Sequence, residues 1–165
     1  MTPRHVVAFR AGTVLAAAPA DQVEAILPAM PLLSAPDAPD WLLGLLVAGP
    51  EVRAVVDVAR RLFRGRGDAG ASPHFLALRS EGLAAVLAVT EVEGVLRVEE
   101  EAVAPPEGLP ESTRGLFLSA VRAGGAVRVV LDVRSLLRID REALAAAAGR
   151  GSAGAAGEGP ASRQV

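Results

Sequence analysis

The chain reads as a mainly β protein made of two small barrels built alike, and three observations carry that reading. Short apolar runs recur at spacings of about 8–12 residues, separated by Gly, Pro and Asp, which favours small barrels over alternating strands and helices. The second half repeats the first. The filler is Val, Leu and Ala, with 51% hydrophobic residues but only 3% aromatics over 165 residues, enough to bury a core for one compact domain or two small subdomains sharing one.

The first half opens with His5-Val6-Val7-Ala8-Phe9-Arg10, of strand composition, then a turn at Gly12-Thr13 and a returning strand over Val14–Ala18. Pro19-Ala20-Asp21 ends that strand, with Asp21 placed to cap a short helical turn or begin a bend. Val23-Glu24-Ala25-Ile26-Leu27 resumes the apolar pattern. Pro28, Pro31, Pro36 and Pro39 follow, and so dense a set argues against a helix. Trp41–Val47 and Val52–Val58, separated by Gly49-Pro50, read as a hairpin or two neighbouring strands. Ala59–Phe63 supplies one helical turn, and residues 64–73 form a polar, glycine-rich loop.

His74-Phe75-Leu76-Ala77-Leu78-Arg79 then restarts the series. Adding 69 carries His5 to His74, Ala8 to Ala77, Arg10 to Arg79, Val23 to Val92, Glu24 to Glu93, Ile26 to Val95 and Leu27 to Leu96. An offset of 75 carries Val52-Arg53-Ala54-Val55-Val56-Asp57-Val58 to Val127-Arg128-Val129-Val130-Leu131-Asp132-Val133, and Leu62 to Leu137. Ordered agreement that includes both histidines and both aspartates predicts a structural repeat. A half of this size is marginal alone, so the two are expected to share an interface. Residues 140–148 are predicted as a short helix with Asp140 as N-cap and Gly149 as stop, and residues 151–165 as a disordered Gly/Ala/Ser tail. The expected organisation is one domain over 1–150, its subdomains about 5–63 with the closing strands and about 74–138, intertwined.

The net charge of −2 gives no electrostatic footprint for nucleic acid. No cysteine is present, which removes disulfides, thiol catalysis and thiolate metal sites. All 17 basic residues are arginine, in keeping with a GC-rich coding bias. The start of the chain does not resemble a signal peptide, and no apolar run approaches the roughly 18–20 residues needed to cross a bilayer. The expectation is a soluble cytoplasmic protein with no direct membrane insertion.

Chemistry-bearing patterns are few. Asp57 and Asp132 each end a strand, where turn hydrogen bonding is the simple reading and a carboxylate pair the sharper one. His5 and His74 open strands, and no HxH, HExxH or DxD cluster accompanies them, so no metal is expected. Glu99-Glu100-Glu101 reads as a solvated loop or strand end, with an acidic contact for a basic partner as the sharper reading, and Arg60, Arg61, Arg64 and Arg66 as a solvated face, with a partner-docking patch as theirs. The loop after Arg64 lacks phosphate-loop spacing, and no serine sits in a GxSxG elbow. An enzyme is disfavoured and no cofactor is expected. The run Trp41–Val47 is apolar on both faces of a strand, so either the second half or a partner covers the outer one.

Pro36-x-Ala38-Pro39-x-x-x-x-Gly44, followed thirteen residues later by Asp57 within Val55-Val56-Asp57-Val58, resembles the central motif of CheW-like domains, the adaptors of bacterial chemosensory systems. The Val23–Leu27 block, Val89-Thr90-Glu91-Val92 with Val95, and Leu131-Asp132-Val133 with Leu136-Leu137 extend the resemblance over about residues 4–138. It implies two SH3-like five-stranded barrels on a shared core and a non-catalytic scaffold. Its partners would be a methyl-accepting chemoreceptor, gripped in a groove between the barrels, and a CheA-type histidine kinase, met barrel edge to barrel edge. The implied location is cytoplasmic, in chemoreceptor arrays, where barrel edges also admit self-association.

Carried over by position, the partner-binding residues are Val23, Glu24, Ile26, Leu45, Leu46, Gly49, Val52 and Val55, and the structural motif is Pro36, Pro39, Gly44, Asp57 and Asp132. The family's usual Asn-Leu-Arg-Gly turn is replaced by Val47-Ala48-Gly49-Pro50, so the partner-contacting arginine is absent at Gly49. The usual glutamate falls at Ala25, with Glu24 one place early, and Thr90 stands where an aspartate is usual. These departures imply a divergent adaptor that keeps receptor binding and has weakened or lost kinase binding; the composition suits the adaptor of the myxobacterial Frz system. The competing class is a small ligand-binding or enzymatic β-barrel outside chemotaxis.

Overall fold

The computed structural model describes residues 2–64, 67–71, 73–101, 111–138 and 145. In chain order the strands are β1 (His5–Ala11), β2 (Val14–Pro19), β3 (Val23–Pro28), β4 (Leu42–Ala48) and β5 (Glu51–Asp57), then helix α1 (Val58–Leu62). The second half supplies β6 (His74–Ser80), β7 (Leu83–Val89), β8 (Glu91–Arg97), β9 (Glu100–Glu101), β10 (Phe117–Ala123) and β11 (Ala126–Leu131), followed by a helical stretch α2 over residues 133–138. A 3-10 turn over Ala20–Gln22 follows β2, and another over Glu111–Leu116 precedes β10. The expected helix over 140–148 lies outside the described residues except for Ala145, which is helical. The tail over 151–165 and Arg66 lie outside them too.

Two sheets result, ordered β8-β1-β2-β11-β10-β9 and β3-β6-β7-β5-β4. Two-residue β9 adds a sixth strand to the first sheet beyond the five expected, and places part of the Glu99–Glu101 run on the sheet edge. Each sheet draws strands from both halves of the chain. β1 pairs antiparallel with β8 and β3 with β6, while the parallel pairs β2–β11 and β5–β7 make the other cross-half joins.

The repeat is exact enough to survive at the level of register. Val130 faces Ala17 in one sheet and Val55 faces Val86 in the other, related by the offsets of 75 and 69. β1 and β6 share one burial pattern, exposed at the histidine and buried over the next four residues. Bulges recur as well. Glu24 is skipped in the β3–β6 register and Glu93 in the β8–β1 register, while Leu43 and Leu118 are skipped in β4–β5 and β10–β11.

Strand alternation then divides the apolar residues into three clusters. Leu46, Val55, Phe75, Ala77, Val86 and Ala88 fill the second barrel, and Val6, Ala17, Val121, Ala123 and Val130 fill the first. The opposite faces of the same strands, including Phe9, Ala16, Leu76, Leu78, Leu87, Val129 and Leu131, meet in one core between the barrels. Trp41 and Leu42 enter that shared core, while Leu43 and Leu46 join the second barrel's interior. The second half therefore covers part of the outer face of Trp41–Val47, and Val47 itself stays exposed.

Leu87 is fully buried in the shared core. Leu87→Ala should cost about 3 kcal/mol through lost burial and the cavity left behind, read as a lowered midpoint in urea unfolding, with both barrels lost in one transition.

Candidate functional site

The second barrel carries most of the motif. After β3 the proline-rich segment runs back across β4, and Leu33 forms an isolated bridge with Leu45 through reciprocal N–H to carbonyl bonds of 2.8 and 2.9 Å. Gly44 lies beneath this crossing with φ of 154°, and a Cβ there would stand 2.6 Å from the Leu33 carbonyl oxygen. Only a glycine leaves that approach open. Pro36 and Pro39 frame a turn in which Asp37 has φ of 62°, and the Pro39 carbonyl accepts from the Leu42 N–H at 3.0 Å. Ala35 and Ala38 pack on the shared core from this turn.

Asp57 is buried, and its carboxylate accepts from the backbone N–H groups of Arg60 at 3.1 Å and Ala69 at 3.0 Å. Its own N–H donates to the Trp41 carbonyl at 2.7 Å. One side chain thus caps α1 and pins the following loop. Asp132 repeats the device: its N–H donates to the Leu116 carbonyl at 2.8 Å, and its carboxylate accepts from the N–H and hydroxyl of Ser135 at 3.2 and 2.8 Å. The two aspartates stand at equivalent ends of different sheets, each engaged in its own turn.

Of the residues expected to meet a partner, the structure exposes some and encloses others. Ile26 and Val52 are exposed at 46% and 59%. Leu45 is half-buried beside the Leu33 bridge, and Val23 packs against the shared core. Leu46 and Val55 are buried in the second barrel's interior and offer no surface to a groove. Consecutive Leu45 and Leu46 point to opposite faces, as strand alternation demands. Exposed apolar residues absent from the expected set are Met30, Leu33 and Val47 in the first half of the chain and Val95 and Leu118 in the second; Val47 sits directly across from Val52 in the β4–β5 register. The signal for Val47 was its alternation with Leu46 in a run apolar on both faces.

Glu24 stands apart from this apolar surface. As the bulge residue of β3 it accepts from Arg53 Nη1 at 2.7 Å and from Arg79 Nε at 3.2 Å, while Glu51 accepts from Arg53 Nη2 at 2.7 Å and Arg79 Nη2 at 2.8 Å. These contacts tie β3, β5 and β6 together. The first barrel repeats the pair, with Arg128 Nη2 donating to bulge residue Glu93 at 2.6 Å. The recurrence of Glu24 at Glu93 and of Arg53 at Arg128 was present in the sequence as a hint of this latch.

A family model for the CheW-like domain matches residues 5–141. The chain belongs to the CheW-like domain family. Its fold is similar to that of the scaffolding protein TtCheW from Thermoanaerobacter tengcongensis, with a TM-score of 0.67 and 16% sequence identity over 81% of this chain and 86% of that one. No curated protein matches the sequence. These findings give the family and do not single out a Frz-system adaptor.

In this CheW-like chain the β4–β5 turn holds Gly49 and Pro50, with Gly49 at φ of 61° and nothing within 4 Å of a Cβ placed there. The nearest arginine along the strand, Arg53, is already held by Glu24 and Glu51. Among the described residues no group of His, Asp and Glu could hold a metal ion, and no helix is long and apolar enough to cross a membrane.

Hydrogen bonds from Arg53 and then Arg79 hold the Glu24 carboxyl below its ordinary range, and bonds from Arg79 and then Arg53 do the same for Glu51. A carboxylate with a depressed folded-state pKa contributes stability at neutral pH that is lost as pH falls through that pKa. The stability gap between the parent and Glu24→Gln/Glu51→Gln should therefore be widest at neutral pH and close as the pH drops through and below the usual glutamate range, as followed by urea unfolding across pH 7 to 3. For Asp57→Ala, lost capping and an orphaned Ala69 N–H should cost about 1–3 kcal/mol, measured by the same assay at neutral pH.

Proposed function

We propose that this chain is a non-catalytic adaptor of a bacterial chemosensory array, binding the signalling tip of a methyl-accepting chemoreceptor and coupling it to a CheA-type histidine kinase. The observation that carries this reading is membership of the CheW-like family over residues 5–141, in a fold whose paired barrels leave apolar side chains on the surface of the second barrel. Ile26, Val47 and Val52 offer an apolar helix the kind of contact that helix-in-groove recognition uses. Glu24, on the same strand as Ile26, is engaged by Arg53 and Arg79 and leaves this contact to the apolar side chains. The adaptor works at cytoplasmic arrays, with residues 1–150 as its domain.

The proposal includes a divergence. The β4–β5 turn presents Gly49 and Pro50 rather than an arginine, and Arg53 is too fully engaged to serve in its stead. Receptor binding is retained and kinase binding is weakened.

The test pairs the purified protein with a receptor signalling-tip fragment and the kinase regulatory domain from the same operon, with an ordinary CheW as control. Expected are receptor binding at the control's level and kinase binding roughly tenfold weaker, equivalent to about 1.4 kcal/mol. Gly49→Arg should recover part of the kinase affinity, the recovery being limited by about 1–2 kcal/mol of strain at positive φ. Kinase affinity equal to the control's would overturn the divergence alone, whereas binding to neither partner would overturn the adaptor reading.

A further inference from the structure

We infer that the edge of the first barrel carries a docking site for a protein segment that presents a carboxylate beside an apolar side chain, formed by Arg4, His5 and Arg97 with Val95 and Val98. Arg4, His5, Arg97 and Val98 line one open pocket. Backbone pairing builds it: His5 on β1 faces Arg97 at the end of β8, and the Val98 N–H donates to the Arg4 carbonyl at 2.8 Å. Three nitrogen-rich side chains are thus gathered on adjacent chain ends, and all three are exposed.

The two guanidinium charges are unclaimed. The strand arginines Arg10, Arg53, Arg79, Arg122 and Arg128 each hold a glutamate, whereas Arg4 and Arg97 form no ion pair among the described residues. Neighbouring carboxylates are engaged elsewhere: Glu91 with Arg10, Glu93 with Arg128, Glu99 with the Gly125 N–H and Glu100 with Arg122. The fold does not require these arginines. Internal symmetry maps Arg4 to Pro73, His5 to His74, Arg97 to Pro28 and Val98 to Ala29, and Pro28 faces His74 as Arg97 faces His5. The same architecture stands in the second barrel with two prolines in place of the two cations.

The chemistry of the ligand follows from the surroundings. Two guanidinium groups suit an oxyanion, and a planar carboxylate can be held by either in bidentate fashion. Val95, exposed at 61%, shares the outward face of β8 with Arg97, two residues away. A free phosphate would leave that apolar surface in water, while an acidic side chain with an apolar neighbour along its own chain covers both. This inference uses neither the second barrel's apolar surface nor the β4–β5 turn, on which the receptor and kinase tests rest, so either can fail without the other.

The test is a titration of the isotopically labelled full chain, followed by amide shifts in NMR, with three probes: the capped peptide Leu-Glu-Glu-Leu, its Gln-for-Glu counterpart, and inorganic phosphate. The acidic peptide should give saturable shifts at His5, Val95, Arg97 and Val98 with a Kd of about 1 mM, and the Gln peptide should bind at least tenfold more weakly. Arg97→Gln alone, and Arg4→Gln with it, should abolish the response while leaving the remaining spectrum in place. Equal binding of both peptides, or no saturable shift, would overturn the site. Phosphate binding as tight as the acidic peptide's would overturn the assignment to a protein segment.

Discussion

Everything in this molecule depends on burying both faces of the strands at its centre. β1, β2, β6 and β7 each send alternate side chains into a barrel interior and into the core between the barrels. A half containing only its own strands would leave one of those faces in water. At about 25 cal/mol per Å² of apolar surface, that loss would overwhelm the marginal stability of a half this small. Cross-half pairing solves the problem, because each sheet is completed by strands from the other half and the shared core is sealed by both. The parallel pairs β2–β11 and β5–β7 are the seams, and their equivalent registers show one geometric solution used twice.

Around that core the two copies keep their polar devices in step. Edge strands β3 and β8 each carry a bulged glutamate held by an arginine from the closing strand of the same sheet, Glu24 with Arg53 and Glu93 with Arg128. Each closing strand ends in an aspartate that accepts from the first turn of the helix after it. A bulge twists a strand and redirects its side chains, so the extra glutamate is turned to where an arginine can reach it. The chain is expressing a bulge that both halves share.

Where the copies differ, the difference is free to serve recognition. Glu51 joins Arg53 and Arg79 in the second barrel, while its counterpart is Ala126. Prolines stand at Pro28 and Pro73 where the first barrel has Arg97 and Arg4. Exposed apolar Ile26 and Val95 occupy equivalent positions in the two copies. Symmetry thus separates what the architecture requires from what it merely permits. The cationic pocket belongs to the second class, whereas Gly49 recurs as Gly124 with the same φ of 61° in the equivalent turn, where only Pro50 departs, its counterpart being Gly125.

Much of the fold was legible in the chain itself. Short apolar runs placed β1 to β6 with modest shifts at their ends, the proline run kept a helix out of residues 28–39, and the offsets of 69 and 75 announced the repeat and carried β3 onto β8 and β5 onto β11. These are local or self-similar properties, and composition and spacing suffice for them. The site was less legible. Leu46 and Val55 belong in the same apolar blocks as Leu45 and Val52, yet they face inward, because facing is set by strand phase, by the bulge at Leu43 and by which strand lies alongside. The six-residue span of the 3-10 turn at Glu111–Leu116 and the pairing of β9 with β10 left no periodic trace. Likewise Arg4 and Arg97, 93 positions apart, become neighbours only when β8 pairs with β1. The sequence by itself determined the elements and their repetition; tertiary pairing alone decided which side chains meet, because strand partners are chosen by burial across the whole chain rather than by any local rule.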